Sequence, residues 1–559
     1  MTPPVRQGVA RHDAVRSVLG EDARLRPEQE EALDALRHSD VLLVARSGLG
    51  KTAVYDVAGR LRDGLTLVVS PTLSLQRDQV EALRATGNRA DAVSSARTAA
   101  QRRQALEAAA TGDLDVLLLA PEQLGRDEVV DALGGAEVGL LVVDEAHCVS
   151  EWGHDFRPDY LAVAAARERV GRPRTLAMTA TASPHVRDEI RRALRVEDAS
   201  VVVGDVDRPE IWLGGREVAD ERSADDAVVD EVATVEGAVL VYAQTRPEVE
   251  RLVERLADVR PDVRGYHAGL RGTERAEVQD AFTSGELDTV VATSAFGMGI
   301  DRQDVRAVVH AGPSPSLDAY YQEVGRAGRD GEPARAVLVH RQEDFAVARH
   351  LGSGSGPKPG TLKAVAKALV EAGPLDRSGL AGTADLGTRT VARALGALAG
   401  VGAVEEAADG TVRWVAEASV RAVLQQVADA RERRRATELS RVDLVRTYAD
   451  TLDCRRRVLL GLLGEEHPEP CGRCDSCDAG RSETVEDARW HVGQQLVHDR
   501  FGEGTVSLVE PDRITVLFAE HGYTTLATAL LDGDESPVTT AREATPAAPE
   551  GPEPEPAAA

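Results

Sequence analysis

The sequence predicts an α/β protein: two tandem parallel-sheet domains followed by smaller helical and β units. Three observations carry that reading. Short apolar runs lack the alternation of a one-sided sheet, helix-length stretches separate them, and the whole pattern occurs twice. In the first repeat, about 25 to 205, the runs are Val41-Leu42-Leu43-Val44, Leu65-Thr66-Leu67-Val68-Val69, Val116-Leu117-Leu118-Leu119 and Gly139-Leu140-Leu141-Val142-Val143. In the second, about 206 to 350, they are Ala238-Val239-Leu240-Val241-Tyr242, Thr289-Val290-Val291-Ala292 and Val305 to Val309. Folds of this class bind ligands at the carboxyl ends of their strands, so functional residues are expected there.

Gly352-Ser353-Gly354-Ser355-Gly356-Pro357 reads as a flexible linker. Beyond it a helix is expected over Lys363 to Leu369. A second, capped by Thr388, has Val391, Leu395 and Leu398 at helical spacing. Asp409-Gly410 then separates strands ending at Val404 and starting at Val412, a hairpin signal. Helices followed by a hairpin suggest a winged-helix-like unit over 361–425. Residues 426–480 form a helical, cysteine-bearing module, and 490–535 a small β unit with Gly and Asp turns. From 536 to 559 the chain is rich in Pro, Glu and Ala and is expected to be a disordered tail.

Composition narrows the function. The 559 residues carry a net charge of −27, which excludes a uniformly basic nucleic-acid coat but not a local basic channel. No apolar run reaches the ~18 residues of a membrane span, and the start lacks a signal peptide's apolar core. A cytoplasmic, nucleoid-associated protein is expected, without membrane association. Only four of the 66 basic residues are lysines: Lys51, Lys358, Lys363 and Lys367. Arginine would serve equally at a solvated position, so Lys51, alone in the first 357 residues, is marked for a task a guanidinium cannot perform.

Ala45-Arg46-Ser47-Gly48-Leu49-Gly50-Lys51-Thr52 follows an expected strand and precedes an expected helix. This is the context of a P-loop, in which the backbone around Ser47, Gly48 and Gly50 closes on phosphates. Lys51 would reach the β- and γ-phosphates of ATP, and the Thr52 hydroxyl would hold Mg²⁺. Asp144-Glu145-Ala146-His147 ends a fully apolar strand: Asp144 suits the metal shell, and Glu145 the attacking water. Trp152, His154, Phe156 and Arg157 form an aromatic-basic loop in a chain with 18 aromatic residues. Such side chains stack on exposed bases and contact phosphates. Cys454, Cys471, Cys474 and Cys477 are spaced C-x16-C-x2-C-x2-C, a four-thiolate set for tetrahedral Zn²⁺.

The stretch from Asp144 to Pro158, DEAHCVSEWGHDFRP, resembles the signature of RecQ-family DNA helicases. Further matches follow in that family's order: Arg26-Pro27-Glu28-Gln29, Ser70 to Leu75, Thr179-Ala180-Thr181-Ala182, Tyr266 to Leu270, Ala292 to Asp301, and Tyr321 to Gly331. The cysteine segments, DCRRRVLL from Asp453 and EPCGRCDSC from Glu469, resemble the family's zinc-binding module.

The resemblance implies RecA-like folds of helicase superfamily two for 1–205, which binds ATP, and for 206–350. It implies that Gln29 reads adenine and that Lys51, Asp144, Glu145, His147, Gln322, Arg326 and Arg329 serve catalysis. Ser74, Trp152, His154, Phe156, Arg157, His267 and Thr293 would contact DNA. The implied activity is ATP-driven 3′–5′ unwinding, with translocation on single strands, in repair or recombination; single-stranded and forked DNA are the implied partners. A remodelling ATPase that does not separate strands and a weakly catalytic scaffold are the alternatives.

The sequence also departs from the family. No aromatic residue precedes Gln29 over 20–25, Glu151 replaces a usual glutamine, the P-loop begins Ala-Arg, and the winged-helix-like unit precedes the zinc module. Residues 490–535 are expected to form a small SH3-like β-barrel and resemble the Tudor-like C-terminal domain of UvrD/PcrA-type helicases. Being acidic, that segment is expected to dock a protein, such as the transcription machinery, rather than phosphate.

Overall fold

The computed structural model describes residues 10–21, 23–46, 48–94, 97–150, 157–297, 302–352, 356–407, 411–484, 489–510, 512–518, 521–531 and 536–540. Among these the first domain holds β1 (Val41–Val44), β2 (Leu65–Val69), β3 (Ala90–Val93), β4 (Val116–Leu119), β5 (Val138–Val143), β6 (Arg174–Thr179) and β7 (Ser200–Val203). They form one parallel sheet in the order β3-β4-β2-β5-β6-β1-β7. Every residue of β1, β2, β4 and β5 is buried. The physical cause is two-sided covering: Leu42 and Val44 enter one core, Val41 and Leu43 the other.

The second domain repeats the scheme with β8 (Ile211–Glu217), β9 (Ala238–Ala243), β10 (Arg264–Tyr266), β11 (Thr289–Ala292), β12 (Val305–Ala311) and β13 (Ala334–His340). Their order is β10-β11-β9-β12-β13-β8, again all parallel.

The next unit runs helix Pro359–Ala372, β14 (Leu375–Asp376), helices Arg377–Ala384 and Thr388–Ala399, then β15 (Val404–Glu406) and β16 (Thr411–Trp414). The three strands pair antiparallel as β14-β16-β15. Thr388 is the first helical residue and Gly387 takes the cap position, a one-residue shift from the expectation. Asp409 and Gly410 lie outside the described residues.

One helix, Val420–Asp450, runs through the boundary expected at 425/426. Its first turns place Val423 and Val427 in the core of the preceding unit. Its last place Val442, Leu444, Val445 and Tyr448 in the core of the second sheet. Composition cannot show such a boundary, because both ends are amphipathic helix.

The helix Arg455–Leu462 follows, and its three leading arginines are all buried. Arg455 pairs with Asp475 at 2.6 Å and donates to Tyr448 O at 2.8 Å. Arg456 donates to Arg208 O and Ile211 O at 2.9 and 2.5 Å. Arg457 pairs with Asp453 at 2.5 Å and donates to the carbonyls of His467, Pro468 and Glu483. Burying three guanidiniums is tolerable only because each is hydrogen-bonded. Arg456, Trp212 Nε1 donating to Asp478 Oδ2 at 2.9 Å and Gly215 N donating to Asp475 Oδ2 at 2.9 Å tie this module to β8.

The last unit is an antiparallel sheet of β17 (Gln495–His498), β18 (Gly502–Val509), β19 (Arg513–Phe518), β20 (Gly522–Ala527) and β21 (Val538–Thr540), in the order β20-β19-β18-β17-β21. Thr540 pairs with Leu496, so the unit extends past 535: Val538–Thr540, expected in the tail, are strand, and 541–559 lie outside the described residues. The unit is not a free appendage. Leu508 lies in the same core cluster as Leu459 and Leu460 of the helix Arg455–Leu462, and as Leu463, which caps it. No described helix is long and apolar enough to cross a membrane.

Candidate nucleotide and zinc sites

Between β1 and the helix Lys51–Arg60 the backbone turns through Gly48 and Gly50, with φ of +82° and +78°. That left-handed region suits residues without Cβ, and it turns amide groups into a concavity that accepts anions. A Cβ on Gly50 would stand 3.4 Å from Gln29 Nε2, and one on Gly48 3.5 Å from Arg329 Cγ. Lys51 and Thr52 open the helix. Gln29 is buried; its Nε2 donates to Leu49 O at 2.7 Å and its Oε1 accepts from Arg26 N at 2.8 Å. Its amide is thus committed to the P-loop backbone and its own helix start.

Asp144 follows the last residue of β5 and is buried. Its Oδ2 accepts from Gln79 Nε2 at 2.8 Å, its Oδ1 accepts from Glu145 N at 3.0 Å, and its backbone O accepts from Tyr160 Oη at 2.9 Å. Burial, and then the Glu145 charge, raise its pKa to about 6, while Lys51 pulls the other way. Glu145 sits in the left-handed region at φ +48°, a costly conformation for a residue with a Cβ. Its Oε2 is buried without a hydrogen-bond partner, 3.5 Å from His147 Nδ1. His147 Nδ1 is also 2.9 Å from Thr179 Oγ1. The same hydroxyl lies 3.0 Å from Thr181 O. The end of β5 is therefore hydrogen-bonded to the Thr179–Thr181 segment.

Donor chemistry here fits Mg²⁺ with a nucleotide. A buried, under-compensated carboxylate at Asp144 and the Thr52 hydroxyl would hold the ion, and the Gly48–Gly50 nest with Lys51 would hold phosphates. When bound, the cation supplies charge neutralisation of the phosphate oxygens.

From the second domain, Arg329 crosses to the P-loop, its Cγ, Cδ and Nε lying 3.5 to 3.8 Å from a Cβ built on Gly48. Arg326 is buried, with Nη2 3.6 Å from a Cβ built on Gly297 of the same domain. Gln322 Nε2 is buried without a partner. The two arginines three residues apart therefore face different surroundings.

Among the residues expected at DNA, Arg157 donates from Nη1 to Pro71 O at 2.7 Å, joining the loop after β5 to the Ser70–Leu75 segment. His267 is buried and accepts on Nδ1 from Gly269 N at 3.2 Å. Thr293 N donates to Tyr266 O at 3.1 Å, which brings Thr293 beside His267. Ser47, Trp152, His154 and Phe156 lie outside the described residues, as does the side chain of Ser74. The sequence reading missed Gln79 and Tyr160: nothing local marks a side chain that reaches a carboxylate 65 residues away.

The four cysteines converge, with all sulfurs within 4.8 Å of one another. Cys471 Sγ and Cys477 Sγ are 3.9 Å apart, close to the ~3.8 Å edge of a tetrahedron with Zn–S of about 2.3 Å. Backbone amides of Cys471, Arg473 and Cys477 point at the sulfurs of Cys454, Cys471 and Cys474 at 3.3 to 3.5 Å, as thiolates favour. The donor set fits Zn²⁺. Cys148, the fifth cysteine, is buried in the first core.

Family models match three segments: DEAD/DEAH box helicase over 26–190, helicase conserved C-terminal domain over 224–331, and RecQ zinc-binding over 415–478. The ATP-dependent DNA helicase RecQ of Pasteurella multocida is 37% identical over 336 residues, covering 60% of this chain and 52% of that protein. RecQ of Haemophilus influenzae is 30% identical over 466 residues, covering 83% and 62%. RecQ of Bacillus subtilis is 28% identical over 513 residues, covering 90% and 74%. The chain thus spans about half the length of the Pasteurella relative. Among solved structures, the Mycobacterium smegmatis helicase Lhr bound to ssDNA and AMP-PNP superposes with a TM-score of 0.51 at 21% identity, covering 77% of this chain and 62% of that one, a likeness of fold. Two parallel-sheet domains of RecA type, the Asp144–His147 box and the four-cysteine zinc site together place this chain in the RecQ family of DEAD/DEAH-box helicases.

Proposed function

We propose that this chain is an ATP-dependent DNA helicase that moves 3′–5′ on single strands and separates duplexes during repair or recombination. The observation that carries the reading is the seat of Arg329. A cation from the second domain lies on the P-loop of the first, so hydrolysis and relative domain position depend on each other. In this reading Lys51 binds the transferring phosphate, Asp144 and Thr52 hold Mg²⁺, Glu145 orients water, and Arg329 stabilises the developing charge.

Residues 359–414 serve as a winged-helix-like DNA reader. Their helix–strand–helix–helix–hairpin order supports this, as do Arg389 and Arg393 on the exposed face of the helix Thr388–Ala399. The exposed acids Glu503 and Asp512 favour a protein over DNA as the partner of the C-terminal sheet.

ATP hydrolysis with and without single-stranded DNA, together with strand displacement on 3′- and 5′-tailed DNA and RNA duplexes, tests the proposal. Stimulation by DNA and displacement of 3′-tailed DNA are expected. Absence of stimulation overturns the helicase reading, and stimulation without displacement leaves the remodelling alternative.

A further inference from the structure

The P-loop carries an arginine, Arg46, between the end of β1 and the glycines, and its guanidinium turns toward the segment joining the two domains. Arg46 Nη1 lies 3.4 Å from Asp207 O and 3.5 Å from Glu210 Oε1. The side chains of Arg46 and Glu210 are 22% and 14% exposed, so solvent screens the pair only in part.

Glu210 is a junction. Its carboxylate also accepts from Arg208 Nε, and Arg208 donates to Gly325 O at 2.9 Å and Ala327 O at 2.6 Å, inside the loop that bears the arginines. Gly328, at φ +60°, passes so close that a Cβ there would stand 3.1 Å from Glu210 Cγ. One residue on, Arg329 reaches Gly48. A closed path thus runs from the P-loop through Arg46, Glu210 and Arg208 to the 325–328 loop, and back to the P-loop through Arg329.

We propose that Arg46 and Glu210 are a positioning pair that sets the P-loop at the right distance from the 325–329 loop, so that Arg329 meets the nucleotide. This rests on the ATP-hydrolysing reading above. One terminal nitrogen, Nη1, with two N–H groups addresses the carbonyl and the carboxylate together. Arg46 O accepts from Leu49 N at 3.3 Å, but the described side-chain bonds of Arg46 and Glu210 go to Asp207 O, to Arg208 and to each other rather than to Lys51, so the pair is expected to act on kcat more than on nucleotide affinity. What depends on it is the approach of Arg329.

The test is a double-mutant cycle of wild type, Arg46→Met, Glu210→Gln and the double variant, read in kcat and KM for ATP at saturating DNA and in Tm. Each single change is expected to lower kcat about tenfold with KM held within about twofold, and the double no further than the worse single. Arg46→Lys should recover part of kcat. Losses that multiply in the double variant overturn the pairing. So does a raised KM at unchanged kcat in Arg46→Met, which would make Arg46 a nucleotide ligand. Should wild type hydrolyse no ATP, the functional reading falls and the Tm cycle judges the pair: non-additive losses support it, additive losses overturn it.

Discussion

Leu508→Ala should destabilise the zinc module as well as the C-terminal sheet. Strand alternation would put Val506 and Leu508 on one face of β18. The pairing shifts register between these two residues, so a bulge re-aims Leu508 out of the sheet's own core. Val506 stays with Trp490, Ile514, Val516 and Phe518, whereas Leu508 joins Leu459, Leu460 and Leu463. Its seat exists because residue 461 is glycine: a Cβ there would stand 2.8 Å from Leu508 Cδ1. Leu508 is 1% exposed, and truncating a fully buried leucine costs about 3 kcal/mol. For a body this large, that is a Tm loss of about 6–12 °C.

Two tryptophans report the two sides separately: Trp490 in the sheet's core, and Trp212, bonded to Asp478 of the zinc module. Fluorescence-detected denaturation of variants retaining one or the other is expected to show both transitions falling together. A Trp212 transition unmoved by Leu508→Ala would refute the shared core and make the sheet an independent appendage. Ending the chain at Arg481 should likewise expose the Leu459–Leu463 face and promote aggregation.

Lys51→Arg should abolish ATP hydrolysis as completely as Lys51→Ala, because a planar fork replaces a compact ammonium at the phosphate nest; steady-state turnover checks it. One zinc per chain is expected by metal analysis, and Cys474→Ser or chelation should lower Tm, since the metal supplies folding energy to the module that clamps β8. Glu248 has its pKa raised to about 7, chiefly by burial, while accepting from Gln244 N at 2.9 Å. A raised carboxyl favours the neutral form in the fold. Its contribution is therefore complete below its ordinary 4.5 and is lost as pH rises through about 7. Glu248→Gln should accordingly unfold at higher denaturant than wild type at pH 8, by about 1–3 kcal/mol, with the gap closing toward pH 4.5.

The sequence by itself determined the features whose chemistry lies in contiguous residues. Lys51 stands out because lysine is scarce, Asp144 and Glu145 because they end a non-alternating apolar run, and the zinc cysteines because two short spacings and one long one present four sulfurs. The β1, β2 and β4 runs are strands at the expected bounds, and β5 begins one residue earlier, because burial on both faces leaves an unambiguous apolar signature.

Tertiary structure alone decided what distant side chains do to one another. Gln79 meets Asp144, Arg46 meets Glu210, and Arg329 reaches the P-loop. In an arginine-rich chain nothing local marks the guanidinium that crosses from one domain to the other. The same holds for Leu508 and for the helix Val420–Asp450. Periodicity records which residues are apolar, but a bulge or a shared helix changes which core receives them, and that depends on the partner surface.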